Sequence, residues 1–177
     1  SAVAAAVAQC CEKRVPVATI FSDGFAETGA AGRERQNELL KLARAGGLRL
    51  LGPNCIGLLD LHSHLVLSVN AVLEHAKITP GATAIVSQSG SMMGALMSRG
   101  FGRGTGFSKL VSVGNEADLA VGEITDMLVN DADTRIILLF METIRDAERL
   151  ARAARRAYDA GKPVVVYKLG RSDVGVE

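Results

Sequence analysis

The most informative chemistry-bearing stretch is Ser87-Gln88-Ser89-Gly90-Ser91. It joins an apolar run at 83–86 to a helical pattern over 90–99. A helix start presents unpaired N–H groups and the positive end of the dipole, and both favour an anion. Serine hydroxyls add donors, and Gly90 admits close approach of the backbone. Such a segment can cradle a phosphate. The same residues also make a Ser-rich helix cap, and on spacing alone the cap is the commoner use of them. Neither G-x-x-x-x-G-K-[ST] nor a strict G-x-G-x-x-G occurs here.

Other candidates follow other apolar runs. Glu142 comes directly after Ile136 to Met141. It could orient a base or accept its N–H, or stand exposed beside Arg145. Gly52-Pro53-Asn54-Cys55 reads as a tight turn, either shaping the chain around a small buried thiol or approaching a ligand with Cys55 in the lining. Ser22-Asp23-Gly24-Phe25-Ala26-Glu27 follows a further apolar run, and Gly114-Asn115-Glu116 another. His62 and His64 flank Ser63 near Asp60, without a further ligand cluster and without a G-x-S-x-G elbow; surface histidines are the expected reading. Met92, Met93 and Met97 have helical spacing and suit a core. Arg149, Arg152, Arg155 and Arg156 suit a solvated helix face.

These groups need elements to hold them. Helices are predicted over 2–14, 31–45, 90–99, 118–129 and 146–160, with Asp118 placed to cap or charge the start of the fourth. Short apolar strands are predicted at 17–21, 48–51, 83–86, 107–113, 136–140 and 164–167. Strands alternating with helices of this length mean β-α-β units and a parallel sheet covered on both faces. Residues 57–80 lack a long periodic pattern and end in a Thr79-Pro80-Gly81 turn signal, so they are expected to form an irregular connector. The predicted architecture is α/β: part of one unit over 1–56, then a doubly wound parallel domain over 81–177. Ligands should gather at the carboxyl ends of the strands.

Composition narrows the function. The 177 residues carry 20 basic and 19 acidic side chains, a net charge of +1. No broad positive field is available for nucleic acid. Aromatics are 4% with no Trp, which argues against base-stacking platforms. No apolar run approaches a membrane span, and the Ala-rich start lacks a basic n-region. Three irregularly spaced cysteines suit a reducing cytoplasm rather than a disulfide framework. Glycine, 19 residues, is enriched at the predicted strand ends.

In order, Gly24-Phe25-Ala26-Glu27-Thr28-Gly29, Gly52-Pro53-Asn54-Cys55-Ile56-Gly57, Ser87-Gln88-Ser89-Gly90, Phe107-Ser108-Lys109 through Ser112-Val113-Gly114-Asn115-Glu116-Ala117-Asp118, Glu142 and Lys162-Pro163-Val164-Val165 form a series. From about residue 15 onward it resembles the NDP-forming acyl-CoA synthetases, relatives of the succinyl-CoA synthetase α subunit. The resemblance implies the C-terminal part of a CoA-binding Rossmann-like domain at 1–56, a connector at 57–80 and a flavodoxin-like domain at 81–177. It implies conversion of an acid, CoA and ATP to acyl-CoA, ADP and phosphate through an acyl phosphate and a phosphohistidine. Ser87, Gln88, Ser89, Gly90 and Ser91 would cradle the phosphate, and Glu142 would orient the imidazole. Pro53, Asn54 and Cys55 would lie near the CoA thiol, with Gly24, Phe25 and Glu27 lining the same cleft. ATP or ADP with Mg would belong to an ATP-grasp domain or subunit outside this sequence.

The family's histidine motif and its first CoA loop also fall outside the sequence. His62, His64 and His75 are not in the histidine motif's context. A segment inactive by itself is therefore expected, part of an oligomer, with a small carboxylic acid and CoA as partners and neither nucleic acid nor membrane. Related modules also occur as CoA- or acyl-CoA-sensing domains fused to acetyltransferases, the alternative reading.

Overall fold

The computed structural model describes residues 2–74 and 78–170. His75 lies outside the described residues.

The first unit contains α1 (Ala2–Glu12), β1 (Val17–Thr19), a 3-10 turn (Ala26–Thr28), α2 (Ala30–Ala45) and β2 (Arg49–Leu51). β1 and β2 pair in parallel. Val7 of α1, Leu39 and Ala43 of α2, Leu48, Leu50 and Ile20 form one apolar core with Phe25.

The second unit is a six-stranded sheet. It contains β3 (Gly57–Asp60), β4 (Leu65–Ser68), a 3-10 turn (Ala71–Glu74), β5 (Pro80–Ser87), α3 (Gly90–Phe101), β6 (Phe107–Ser112), α4 (Val121–Val129), β7 (Ile136–Met141), α5 (Ala147–Asp159) and β8 (Val164–Lys168). The strand order is β4-β3-β6-β5-β7-β8. β6, β5, β7 and β8 are mutually parallel.

Strand periodicity splits the core in two. Ala84 and Val86 of β5, Val111 of β6, and Ile137 and Leu139 of β7 face α4 and α5, meeting Val121, Ile124, Leu128 and Ala157. Ile85 and Leu110 face the other way, onto Met93 and Met97 of α3. Met93 and Met97 are fully buried, as their helical spacing predicts, whereas Met92 is only half-buried. Helices thus cover both faces of the sheet, the doubly wound arrangement.

Three features differ from the sequence reading. The stretch expected to be an irregular connector carries β3 and β4, and β3 runs antiparallel to β6. The sheet is therefore mostly rather than wholly parallel. Its outer strands are also not covered on both faces: Leu65, Val66 and Leu67 of β4 and Val165, Val166 and Tyr167 of β8 are exposed. Finally, Asp118 does not cap α4, whose N-cap is Ala120. Asp118 reaches back to the first unit instead, where Arg49 Nε donates to it at 2.7 Å and Leu50 N–H at 3.1 Å. Glu123 of α4 takes the same guanidinium in two bonds of 3.0 and 2.9 Å. These bonds and the Leu119 N–H to Leu50 carbonyl bond hold the two sheets in register.

Candidate functional site

A cleft of about 700 Å³ opens where the carboxyl ends of β1, β2, β5 and β7 converge. The first unit contributes Phe21, Ser22 and Asp23 after β1, and Asn54, Cys55 and Ile56 after β2. The second contributes Gln88, Ser89, Gly90 and Ser91 at the start of α3, Glu142 after β7, and Val69. Five segments far apart in sequence meet there, and four of them follow parallel strands, which deliver their ends to one edge.

The start of α3 is built for close approach. Ser89 is its N-cap, and its side chain accepts from Met92 N–H. The N–H groups of Gly90 and Ser91, in the first turn, have no intrahelical acceptor. The Ser89 and Ser91 hydroxyls are 3.1 Å apart. A Cβ at position 90 would stand 2.6 Å from Ile56 Cγ2, so glycine lets the helix start rest on the first unit. Donors, hydroxyls and dipole together can hold a dianionic phosphoryl group.

The other two residues of that stretch work differently. Ser87 is fully buried and donates to the Ser89 carbonyl at 2.7 Å, away from the cleft. Gln88 lines the cleft, but its polar groups are engaged. Its N–H donates to the Phe140 carbonyl, and Oε1 accepts from the N–H groups of Glu142 and Thr143 at 2.6 and 2.9 Å. Nε2 donates to Glu116 and to the Thr143 carbonyl. Gln88 therefore positions the turn that carries Glu142. The Glu142 side chain is exposed to the cleft.

Of the six residues read from the first unit, Asn54 and Cys55 line the cleft. Pro53 lies beneath it, its carbonyl accepting from Asn115 N–H. Cys55 Sγ donates to the Ile20 carbonyl at 3.3 Å, and burial pushes its thiol pKa up despite the Gly57 and Cys55 N–H groups. A buried, bonded thiol of this kind is unreactive.

Gly24, Phe25 and Glu27 form a supporting turn behind Ser22 and Asp23. Glu27 accepts from the N–H groups of Gly24 and Phe25 and from Asn115 Nδ2. Burial raises the Glu27 pKa, but these bonds outweigh it and leave the carboxyl below its ordinary value. The residues that reach the cleft from this segment are Phe21, Ser22 and Asp23. Their signal in the sequence is that they follow β1 directly.

Asn115 and Glu116 also escaped selection as site residues. Asn115 links Glu27, Gln36 and Asn54 through its side chain, joining the two units below the cleft. Glu116 accepts from Val121 N–H at 2.7 Å and Gln88 Nε2 at 2.6 Å. Burial holds its carboxyl above the ordinary range, only partly offset by those bonds and by Arg145.

The histidines of the β3–β4 hairpin lie elsewhere. The His62 ring sits 2.9 Å from the Gly81 carbonyl and 3.8 Å from Asp133. Among the described residues no group of three His, Cys, Asp or Glu could hold a metal, and no helix is long and apolar enough to cross a membrane.

Comparisons with known proteins agree with this fold. Residues 80–177 match the family described as succinyl-CoA ligase like flavodoxin domain. The chain is 36% identical over 169 residues to the acetate–CoA ligase [ADP-forming] I subunit alpha of Pyrococcus furiosus, covering 96% of this chain and 36% of that protein. It is 30% identical to the 4-hydroxybutyrate–CoA ligase [ADP-forming] of Nitrosopumilus maritimus, covering 96% of this chain and 24% of that one. Among solved structures, acetyl-coenzyme A synthetase 1 of Ca. Korarchaeum cryptofilum, in complex with phosphate and ADP, superposes with a TM-score of 0.86 at 32% identity. That match covers 98% of this chain and 36% of the other. The chain thus spans between about a quarter and just over a third of the relatives it matches. With more than half of its residues inside the matched region, the chain belongs to the succinyl-CoA ligase-like flavodoxin-domain family.

Proposed function

We propose that this chain is the CoA-binding and phosphate-receiving segment of an ADP-forming acyl-CoA synthetase. The enzyme would convert a carboxylic acid, CoA and ATP to acyl-CoA, ADP and phosphate, reversibly. The observation that carries the reading is the meeting of the α3 start and Glu142 with Asn54 and Cys55 in one cleft. A phosphoryl group, the imidazole that carries it and a thiol need such adjacent places.

In this reading the Gly90 and Ser91 N–H groups and the Ser89 and Ser91 hydroxyls hold the phosphoryl oxygens. Glu142 accepts the imidazole N–H and keeps the ring aimed at the phosphate. CoA enters over Ser22, Asp23 and Asn54. Its sulfur attacks the acyl phosphate carbonyl, the C–O bond to phosphate breaks, and the released phosphate stays at the α3 start. Cys55, buried and bonded to the Ile20 carbonyl, does not compete as a nucleophile.

Residues 1–56 would be the C-terminal part of the CoA-binding Rossmann-like domain, and 81–177 the flavodoxin-like domain. The histidine and the ATP-grasp part, with ATP or ADP and Mg, would be supplied by other segments or a partner subunit. The enzyme would work in the reducing cytoplasm as an oligomer, and this segment alone would be inactive.

The test is an assay of the complete enzyme with a panel of acids for acid- and CoA-dependent ADP formation, with labelled ATP used to trap phosphohistidine. Turnover and an acid-labile, base-stable label are expected. Absence of both across the panel overturns the proposal.

A further inference from the structure

Glu116 occupies a position that is costly twice over. Its φ is +53, a left-handed conformation that glycine or asparagine adopts with less strain. Its side chain is 2% exposed, and burial disfavours the charged carboxylate. A glycine or asparagine here would avoid both costs, so the explanation lies in what the carboxylate holds.

It holds the turn that carries Glu142. Residues 142–146, between β7 and α5, are exposed throughout. The hydrogen bonds that fix Glu142 and Thr143 converge on the Gln88 side chain. Oε1 accepts from both N–H groups, at 2.6 and 2.9 Å, and Nε2 donates to the Thr143 carbonyl at 2.9 Å. Nε2 also donates to Glu116 Oε2 at 2.6 Å. Turned over, the amide would set its NH₂ against the Glu142 and Thr143 N–H groups, so Gln88 has one orientation and Glu116 is the acceptor that completes it. Arg145 Nε, from the same turn, approaches Glu116 Oε2 at 3.5 Å. Two attachments of the turn therefore meet at Glu116, one through Gln88 and one direct. The other carboxylate oxygen accepts from Val121 N–H at 2.7 Å, which fixes the group to the start of α4. Glu116 itself is not among the residues that line the cleft.

We propose that Glu116 is a positioning residue for Glu142. Through Gln88 it keeps the Glu142 carboxylate aimed into the cleft, and so sets the orientation of the imidazole without touching it. This rests on the reading of the first cleft given above. A shift of about 1 Å in a positioned group can cost on the order of a hundredfold in rate.

The experiment compares the complete wild-type enzyme with Glu116→Gln, Gln88→Met and the two combined. A neutral amide of the same shape costs less to bury than a carboxylate, so Glu116→Gln is expected to fold. It keeps an acceptor for Val121 N–H but sets an NH₂ against the Gln88 amino group, and the hold on Gln88 is lost. Its kcat is expected to fall at least tenfold, while the KM values for acid and CoA each stay within twofold. Gln88→Met removes the same link from the other end and is expected to lower kcat at least as far. The combined variant should lose no more than twofold beyond Gln88→Met alone, because Glu116 acts through Gln88. A carboxylate that served only the fold would add its full cost in either background. With an active wild type, any of these three expectations unmet overturns the positioning role alone. So does a Glu116→Gln enzyme that does not fold, which assigns the carboxylate to the fold. A wild type inactive with every acid, and without phosphohistidine, overturns the first reading and the positioning role with it.

Discussion

The loops that follow β5 and β6 leave adjacent parallel strands at the same sheet edge, and both are rich in small and polar residues. They use them in opposite ways. In the loop after β6, Asn115 binds Glu27, Gln36 and Asn54, Glu116 binds Gln88 and Val121 N–H, and Asp118 binds Arg49 and Leu50 N–H. All three face protein. At the end of β5, Ser87 and the following Gln88 commit their side chains to protein in the same way, whereas Ser89, Gly90 and Ser91 turn to the cleft. Position at a strand end therefore does not make a polar residue a ligand group. What decides is whether its donors and acceptors are already committed to protein. The loop after β6 should govern stability, and the start of α3 should govern chemistry.

The largest expected effect is at Gly114. Its φ is +55, and a Cβ there would stand 2.5 Å from the Asn54 carbonyl oxygen and closer still to that of Pro53. Backbone atoms of a clamped turn cannot yield as a flexible side chain can. Gly114→Ala should cost about 3 kcal/mol, from overpacking and left-handed strain together. Urea denaturation measures it. A loss no larger than that of an ordinary surface substitution would mean the turn is not clamped.

The Gly114 clamp also shows where sequence reading stops. The β-α alternation from residue 80 onward was legible because its strands are buried apolar runs and its helices have amphipathic spacing. The β3–β4 hairpin was not. Its strands have four residues each, and Leu65 to Leu67 of β4 are exposed, so no periodic burial marks them. Its place in the sheet is set by pairing with β6, about fifty residues away in sequence. Asn54, Cys55, Ser89 to Ser91 and Glu142 were legible as cleft lining because each directly follows a strand. Glu27 was not separable from them, because the group that engages its carboxylate, Asn115, is 88 residues distant. Asp118 has the residue type and position of a helix cap, and only its contact with Arg49 reveals its other use.

Asp118 supplies the next effect. Asp118→Ala leaves Leu50 N–H unpartnered and the Arg49 guanidinium with Glu123 alone, a loss of about 2 kcal/mol by denaturation. Its pH dependence has a definite sign. Burial raises the Asp118 pKa, but Arg49, Leu50 N–H and Arg44 outweigh it and bring the carboxyl below its ordinary 3.8. Its stabilisation is therefore present above about pH 4 and lost as pH falls through the lowered value. Two residues away the sign reverses. Glu116 is held above its ordinary 4.5 by burial, so its contribution is complete below that value and declines as pH rises through the raised one. Wild-type urea midpoints should fall more steeply below pH 4 than those of Asp118→Asn. Parallel curves would remove Asp118 from the interlock between the sheets.

The smallest expected effect on stability is the one that isolates the other loop. Ser91 is exposed, its hydroxyl meets Ser89 Oγ at 3.1 Å, and it does not cap the helix. The capping bond comes from Ser89, whose replacement by alanine would cost about 1 kcal/mol and confuse the two effects. Ser91→Ala should change stability by less than about 0.5 kcal/mol, as surface substitutions usually do. In the complete enzyme, run toward acid and ATP, the proposed phosphate site predicts that the same substitution raises the phosphate KM at least fivefold. The combination matters more than either number. An intact fold with weakened phosphate use assigns the free hydroxyl to the ligand. A large loss of stability instead would mean that the start of α3 is committed to protein as fully as the loop after β6, and the contrast between the two loops would be gone.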